Sequence, residues 1–541
     1  MSIRVKYSLW LLAASLIFYY PFLGAVHLFD WDEINFAEIA REMLISGDYL
    51  RPTINFQPFW EKPPLFIWMQ ALSMHLFGVN EFAARFPNAV CGTLTLLSLF
   101  RMGSRLRNEQ FGFWWALAYL GSILPHLYFK SGIIDPWFNL FIFCGIYRFY
   151  RYKSETRSLK QIGLSAFFIG LAVLTKGPAA LAIFGLCAAL VYIFSRFRQF
   201  IRIPALLLWL LVFIVTIGLW YGIETLVHGP WFMEQFILYQ LRLFSTEDAG
   251  HGGFIGYHFV VLLFGCFPAS AFALPALIRR SSDYEKEGTL SFLFMQRVLL
   301  LLVLILFSIV KTKIVHYSSL AYFPLSYLAA AEIVRILGQK RPLHMISKIV
   351  LPLSGFLFGA AALALPLLYP YKEELAKYIG DHTARLSLLE IPIHFPWYTW
   401  LPGPFIILLI IASHYLYRVM PGRALQMLFW GSAIGISGVI YAFTGRVEQF
   451  SQSVPIRYFI EKQRNYVSVY GYKSYAHLFY GNTRHVMPPA TDQNSSENMF
   501  VVAKESSLEE IKSRYPEWKI RERRAGWILY FKPAPYREAA R

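Results

Sequence analysis

Between Asp30 and Pro64 the chain reads DWDEINFAEIAREMLISGDYLRPTINFQPFWEKPP, an acid cluster of Asp30, Asp32 and Glu33 followed by the adjacent pair Glu61 and Lys62. A carboxylate can take a proton from a hydroxyl or steady positive charge on a reacting carbon, and a fixed ammonium can hold a phosphate. The segment comes directly after the first hydrophobic stretch, Tyr7 to Val26, so these charges sit beside a bilayer. Such chemistry suits a substrate with a lipid tail and a charged head. Each group also has a purely structural role open to it. Acids in a first helical turn are stabilised by the helix dipole, and an exposed Glu-Lys pair needs no function.

Further along, other polar residues fall at the ends of apolar runs. Asp135 precedes Pro136, an N-cap with proline at the first helical position. Lys176 sits in Thr-Lys-Gly-Pro, where a lysine can simply snorkel. Arg242 lies in the aromatic segment Tyr239 to Phe244, and His251 and His258 flank a Gly-Gly-Phe turn. Lys311 to Tyr317 reads KTKIVHY. Its lysines serve as membrane anchors, or Lys313, His316 and Tyr317 supply charge and directional donors to a phosphate. Glu61 with a histidine offers part of a divalent-metal site, but no His-x-x-His or similar spacing completes one.

These residues need a membrane scaffold to hold them. The 541-residue chain is 56% hydrophobic, 18% aromatic and only 16% charged, too apolar for a soluble protein of this length. Its apolar runs predict a polytopic α-helical membrane protein of about thirteen spans, from 7–26 to 424–443, long enough to cross the hydrocarbon. The net charge of +18 falls in short basic clusters between these runs, which is the positive-inside pattern rather than a nucleic-acid footprint. Alternation of those clusters puts the acid loop, Asp135, Lys176, Arg242 and the Lys311 to Tyr317 segment together on the outer face. Cys91, Cys144, Cys187 and Cys266 lie in or beside apolar spans with no metal spacing, and read as small buried hydrophobes.

Residues 1–443 form the expected transmembrane domain, with an outer loop at 27–82. In that loop Phe36, Ile39, Ala40, Met43 and Leu44 make one helical stripe, with Asp32 as the N-cap and Ser46-Gly47 as the stop. Leu65 to Phe77, closed by Gly78, reads as a second helix, and both are expected at the membrane interface. Residues 444–541 lose the apolar runs and form an outer α/β domain. Its strands are expected at Val467 to Tyr470 and Met499 to Ala503, its helix at Ser507 to Tyr515, and a hairpin turns at Ala525-Gly526.

Asp32-Glu33 with AEIAREMLISGDYL, Glu61-Lys62-Pro63-Pro64, Asp135, Thr175-Lys176-Gly177-Pro178 and Lys311 to Tyr317 together resemble the lipid A aminoarabinose transferase family. That family is related to the protein O-mannosyltransferases, within the polyprenyl-phosphate-dependent glycosyltransferases of GT-C fold. The resemblance implies that Asp32 is the catalytic carboxylate, with Asp135 as a second catalytic acid. It implies that Lys62, Arg242 and Tyr317, helped by Lys313, surround the donor phosphate. Glu33, Glu61, Lys176 and His316 would form the supporting network. Two departures stand out. Asn35 occupies a place that is often basic, and Ile237 to Gln240 lacks the histidine that some members use for a metal. No cofactor is therefore assigned, and a divalent metal stays an option with weak support.

The implied reaction moves a sugar from a polyprenyl-phosphate donor to an envelope lipid, glycan or protein at the outer face of the inner (plasma) membrane, with inversion at the anomeric carbon. Lysine, arginine and tyrosine hold and neutralise the phosphate, and Asp32 takes a hydroxyl proton. A phosphate acceptor would need no base. The rival reading is a transporter or flippase of a lipid-linked sugar, but transporters carry ionisable groups at mid-membrane, whereas these gather at span ends. A non-catalytic scaffold is a third reading, and it leaves the outer loop without a role.

Overall fold

The computed structural model describes residues 2–154, 157–194, 201–245, 252–280, 284, 291–463, 465–492 and 497–534. His251 lies outside them. Six helices are each long and apolar enough to cross a bilayer, including Leu159–Lys176, Phe292–Ile309 and Pro421–Ser451. A pair bent by 48°, Ile203–Gly218 and Tyr221–His228, makes a seventh candidate. Length and composition thus count six or seven crossings among the described residues, against the thirteen expected. The difference lies in helices that are short, broken or charged at their ends. The stretch expected at 255–277 is split into Tyr257–Gly265 and Ala269–Ile278, and Glu81–Leu106 carries Glu81, Arg85, Arg101 and Arg105.

The membrane core is built on aromatics. Trp115, Tyr119, Tyr147, Tyr322 and Tyr327 are fully buried in one continuous cluster. A second cluster joins the outer loop to the end of the chain: Leu28, Ile34, Ile39 and Met43 pack with Val454, Phe459, Phe479 and Trp527. Burial at this junction removes apolar side chains of both segments from water, at roughly 25 cal/mol per Å².

The loop helix runs Asp32–Ser46 and stops at Gly47, whose φ of 73° is the left-handed conformation that glycine adopts without strain. Its cap residue is Trp31, with no side-chain cap bond, so the Asp32 carboxylate is not spent as the expected N-cap. The face away from the apolar stripe is buried as well, and its charges find partners within the loop. Glu38 is paired bidentately with Arg41 at 2.6 and 2.7 Å, and Glu42 accepts from Thr53 Oγ1 at 2.8 Å and Phe56 N at 2.9 Å. The second helix runs Leu65–Phe77 and ends at Gly78.

Arg85 clamps this loop in place. Its guanidinium donates to the carbonyls of Leu23, Val26 and His27 at 2.8–2.9 Å and to Glu33 at 2.8 and 3.0 Å. Glu33 also accepts from the N–H groups of Phe29 and Gly132. Every oxygen and nitrogen of the pair thus has a partner, which is what makes a buried pair tolerable.

The C-terminal segment holds a four-stranded sheet. Tyr466–Tyr470 pairs in parallel with Met499–Lys504, which pairs antiparallel with Trp527–Lys532, and Lys519–Arg524 forms the charged edge. A helix, Leu508–Arg514, lies where the sequence places one. The Ala525-Gly526 turn docks on the helix His382–Glu390, before the last spans: Ala525 N donates to Glu390 Oε2 at 2.6 Å, and Ser387 Oγ donates to Ala525 O at 3.2 Å. Two helices, Ser453–Glu461 and Ala476–Tyr480, were not expected from the sequence.

Burial works to raise the Glu33 carboxyl, but Arg85 and the two N–H groups hold it below its ordinary value of 4.5. A depressed carboxylate contributes stability above the unfolded value and loses it as pH falls through the folded one. Glu33→Gln is therefore expected to cost about 3–5 kcal/mol at neutral pH, since it leaves the Arg85 charge buried and unpaired. Thermal unfolding of detergent-purified protein checks this. The acid-side fall in Tm below pH 4.5 should be steeper in wild type than in the variant.

Candidate active site

One cavity of about 1260 Å³ opens among the first loop, the span ends and the C-terminal segment. Asp32, Glu33, Glu61, Lys62, Asp135, Lys176, Arg242, His316 and Tyr317 all line it. They come from parts of the chain as far apart as the first loop and the turn after Phe292–Ile309, so the fold, not the local sequence, assembles them.

Asp32 stands at the start of the loop helix with its carboxylate 3.7 Å from His316 Nε2. His316 and Tyr317 lie on the 3-10 turn Val315–Ala321, which leads into helix Tyr322–Gln339. The ring of Tyr317 lies 5.3 Å from the Lys176 ammonium. Lys176 ends helix Leu159–Lys176 and pairs with Asp135 Oδ1 at 2.5 Å. Asp135 begins helix Asp135–Ser154 and is only 2% exposed, and its Oδ2 has no protein partner. Below the pair, Asn139 Nδ2 donates to Tyr128 Oη at 2.6 Å and to Ser319 Oγ at 2.7 Å, which ties the Val315–Ala321 turn to the Asp135 helix.

Lys62 and Arg242 share an aromatic partner. The Lys62 ammonium is 4.9 Å from the Tyr239 ring and the Arg242 guanidinium 5.4 Å from it. Helix Trp231–Ser245 puts Tyr239 and Arg242 one turn apart on one side, as the i, i+3 spacing dictates. Burial pulls the Lys62 ammonium below the ordinary lysine range, against the nearby Glu61 and Asp32 carboxylates. Both cations line the cavity, each beside the Tyr239 ring.

Lys313 is not brought to this cavity. Its ammonium donates to the carbonyls of Phe307 at 3.0 Å, Ser308 at 2.7 Å and Val310, the end of helix Phe292–Ile309. A cation there satisfies orphan carbonyls and the negative end of the helix dipole. Glu33 reaches the cavity wall, but its oxygens are committed to Arg85 and backbone donors. His258 is buried and bonds Ser318 at 3.0 Å, behind the turn that carries His316. Among the described residues no three His, Cys, Asp or Glu side chains gather to hold a metal.

Residues that linear reasoning passed over complete the wall. Lys473, from the C-terminal segment, lies 4.0 Å from Glu61 Oε1 and 5.8 Å from the Trp31 ring. Nothing in Gly-Tyr-Lys-Ser-Tyr marks it. Arg85 had a signal, a charge inside an apolar run, which in a membrane helix calls for a partner. Lys130 also lines the cavity, donating to Pro21 O at 2.8 Å at the end of the first helix.

A polytopic helical scaffold with acids, cations and aromatic residues converging on one chamber at its span ends is the design of a membrane glycosyltransferase of GT-C fold. The architecture agrees: the chain superposes on ArnT from Cupriavidus metallidurans bound to undecaprenyl phosphate with a TM-score of 0.80, at 17% identity, covering 98% of this chain and 100% of that one. The dolichyl-phosphate-mannose-protein mannosyltransferase family model matches residues 61–221. An undecaprenyl phosphate-α-4-amino-4-deoxy-L-arabinose arabinosyl transferase of Proteus mirabilis is 27% identical over 84% of this chain and 78% of its own length. A Shewanella sediminis enzyme of the same name is 28% identical over 58% and 57%. The chain thus has the GT-C fold, and its sequence is similar to these undecaprenyl-phosphate arabinosyl transferases and, over residues 61–221, to the mannosyltransferase family.

The Asp135–Lys176 pair is expected to act as a unit. Asp135→Asn and Lys176→Met should each lower Tm, and the double variant should lose less than the sum, with a coupling of about 1–3 kcal/mol. A thermal-melt double-mutant cycle measures it, and additive losses would show the pair to be independent.

Proposed function

We propose that this enzyme moves a sugar from a polyprenyl-phosphate donor to an acceptor of the cell envelope, with the chamber facing the outer side of the membrane. The observation that supports this most is the meeting of Asp32 with Lys62, Arg242 and Tyr317 around one cavity beside the bilayer. Undecaprenyl phosphate, named in the relatives, is the donor lipid that fits.

In this reading the donor phosphate rests between Lys62 and Arg242, with Tyr317 as a further donor. The acceptor oxygen attacks the anomeric carbon from the side opposite the phosphate. As that bond forms, the carbon–oxygen bond to phosphate breaks and its electron pair passes to the phosphate oxygen. Lys62 and Arg242 neutralise the growing charge, in a setting where fixed cations act more strongly than in water. The acceptor proton goes to Asp32, which His316 orients. One displacement inverts the anomeric centre. Asp135 acts through Lys176, holding that ammonium against Tyr317, and so sets the position of the turn that carries His316.

The sugar is the finer part of the proposal. A pentose of the aminoarabinose kind is what the relatives' names support, and Asn35, in a place often basic in the family, marks where specificity differs.

Purified protein with labelled undecaprenyl-phosphate sugars and envelope extract tests the reading. Asp32→Asn is expected to lower transfer about 10²–10⁴-fold while leaving binding of undecaprenyl phosphate intact. Full transfer by that variant would remove Asp32 from catalysis. Lys62→Ala is expected to weaken undecaprenyl-phosphate binding by about 10–100-fold, the loss of one charge-assisted contact. Because burial depresses the Lys62 ammonium, binding should weaken with rising pH earlier than an ordinary lysine would allow. Lys62→Arg should abolish that alkaline limb, because a guanidinium stays charged.

A further inference from the structure

Resting on the transfer reaction proposed above, we propose that the mouth of the chamber is a saccharide subsite, where a sugar ring of the acceptor stacks on Trp31. Trp31 is 43% exposed, yet it lines the cavity rather than an outer face of the bundle. Around it stand groups with no part in the displacement. Lys473 lies 5.8 Å from its ring and 4.0 Å from Glu61 Oε1. Asp30, also on the cavity wall, takes a hydrogen bond from Ser474. Two carboxylates and an ammonium thus share the cavity wall with the exposed Trp31 ring.

That combination selects a chemistry. A pyranose or furanose presents a face of C–H groups to an aromatic ring and a rim of hydroxyls that both donate and accept. Carboxylates accept from such a rim, and an ammonium donates to it. An acyl chain would gain nothing from three charges at its seat. A phosphate would be repelled by Asp30 and Glu61. A peptide bound in extended form would need a free strand edge, and the residues here come from a helix start and two loops.

Position supports the same occupant. Trp31 immediately precedes Asp32, and Glu61 immediately precedes Lys62. A ring seated on Trp31 therefore occupies the same cavity as the proposed base and Lys62, beside residues that directly precede each in the chain. The C-terminal segment, through Lys473, supplies a wall of this subsite and no contact to the donor phosphate.

The test uses the full-length enzyme, labelled undecaprenyl-phosphate sugar and envelope extract. Trp31→Leu is expected to raise the extract concentration for half-maximal transfer about tenfold, with undecaprenyl-phosphate binding and donor hydrolysis by water unchanged. Trp31→Tyr, which keeps a stacking face, should restore most of the loss, and Lys473→Ala should show a smaller rise of the same kind. Water-soluble oligosaccharides freed from the extract by mild acid should compete with transfer in wild type, and a peptide digest of it should not. Normal acceptor dependence in Trp31→Leu would overturn the subsite, as would a Trp31→Tyr variant impaired equally, or competition by peptides alone. Absence of any transfer by wild type would instead overturn the reaction on which the subsite rests.

Discussion

The ion pair between Glu33 and Arg85 is the constraint on which the site depends. Arg85 binds three carbonyls of the turn after the first helix, and Glu33 ties the same guanidinium to the backbone before the Asp135 helix. Without it, the start of the loop helix would lose its buried tie to the helix Glu81–Leu106. Asp32 is the neighbour of Glu33, so a shift of one residue in that anchor moves the carboxylate off the chamber. A charge is costly to bury, and the pair is retained where its geometry sets a register. The acid cluster therefore divides in two: Glu33 holds, and Asp32 faces the cavity.

The same division runs through the other polar groups. Lys176 and Lys313 both end a helix or follow one closely, and both look alike in sequence. Lys176 is drawn sideways by Asp135 and faces Tyr317, whereas Lys313 folds back on the carbonyls of the helix it follows. The deciding factor is a carboxylate within reach on a neighbouring helix. A lysine without one spends its protons on the nearest orphan carbonyls.

Much of the arrangement was legible in the chain. The loop helix, its stop at Gly47 and the strand and hairpin pattern near the C-terminus follow from periodicity and turn residues, which are local. The convergence of Asp32, Lys62, Asp135, Lys176, Arg242 and Tyr317 followed from alternation of basic loops across the membrane, a global rule applied to simple charges. Lys473 was not legible, because its place depends on how a sheet docks on a helix hundreds of residues earlier. Nor was the burial of Glu38, Arg41 and Glu42: a helical stripe says which face is apolar, and it cannot say that the other face is buried as well. The commitment of Lys313 to carbonyls was hidden for the same reason, since motif spacing carries no side-chain direction.

The docking of the Ala525-Gly526 turn on Glu390 and Ser387 has a consequence for biosynthesis. That turn joins the last two strands of the sheet, and the sheet's first strand leads directly into Lys473. A nascent chain inserted span by span thus exposes an unfinished chamber until its final strands fold and lock. The chamber is consequently walled in only at the end of translation, and a ribosome that stalls within the terminal sheet releases a protein complete in its membrane helices but open at its mouth.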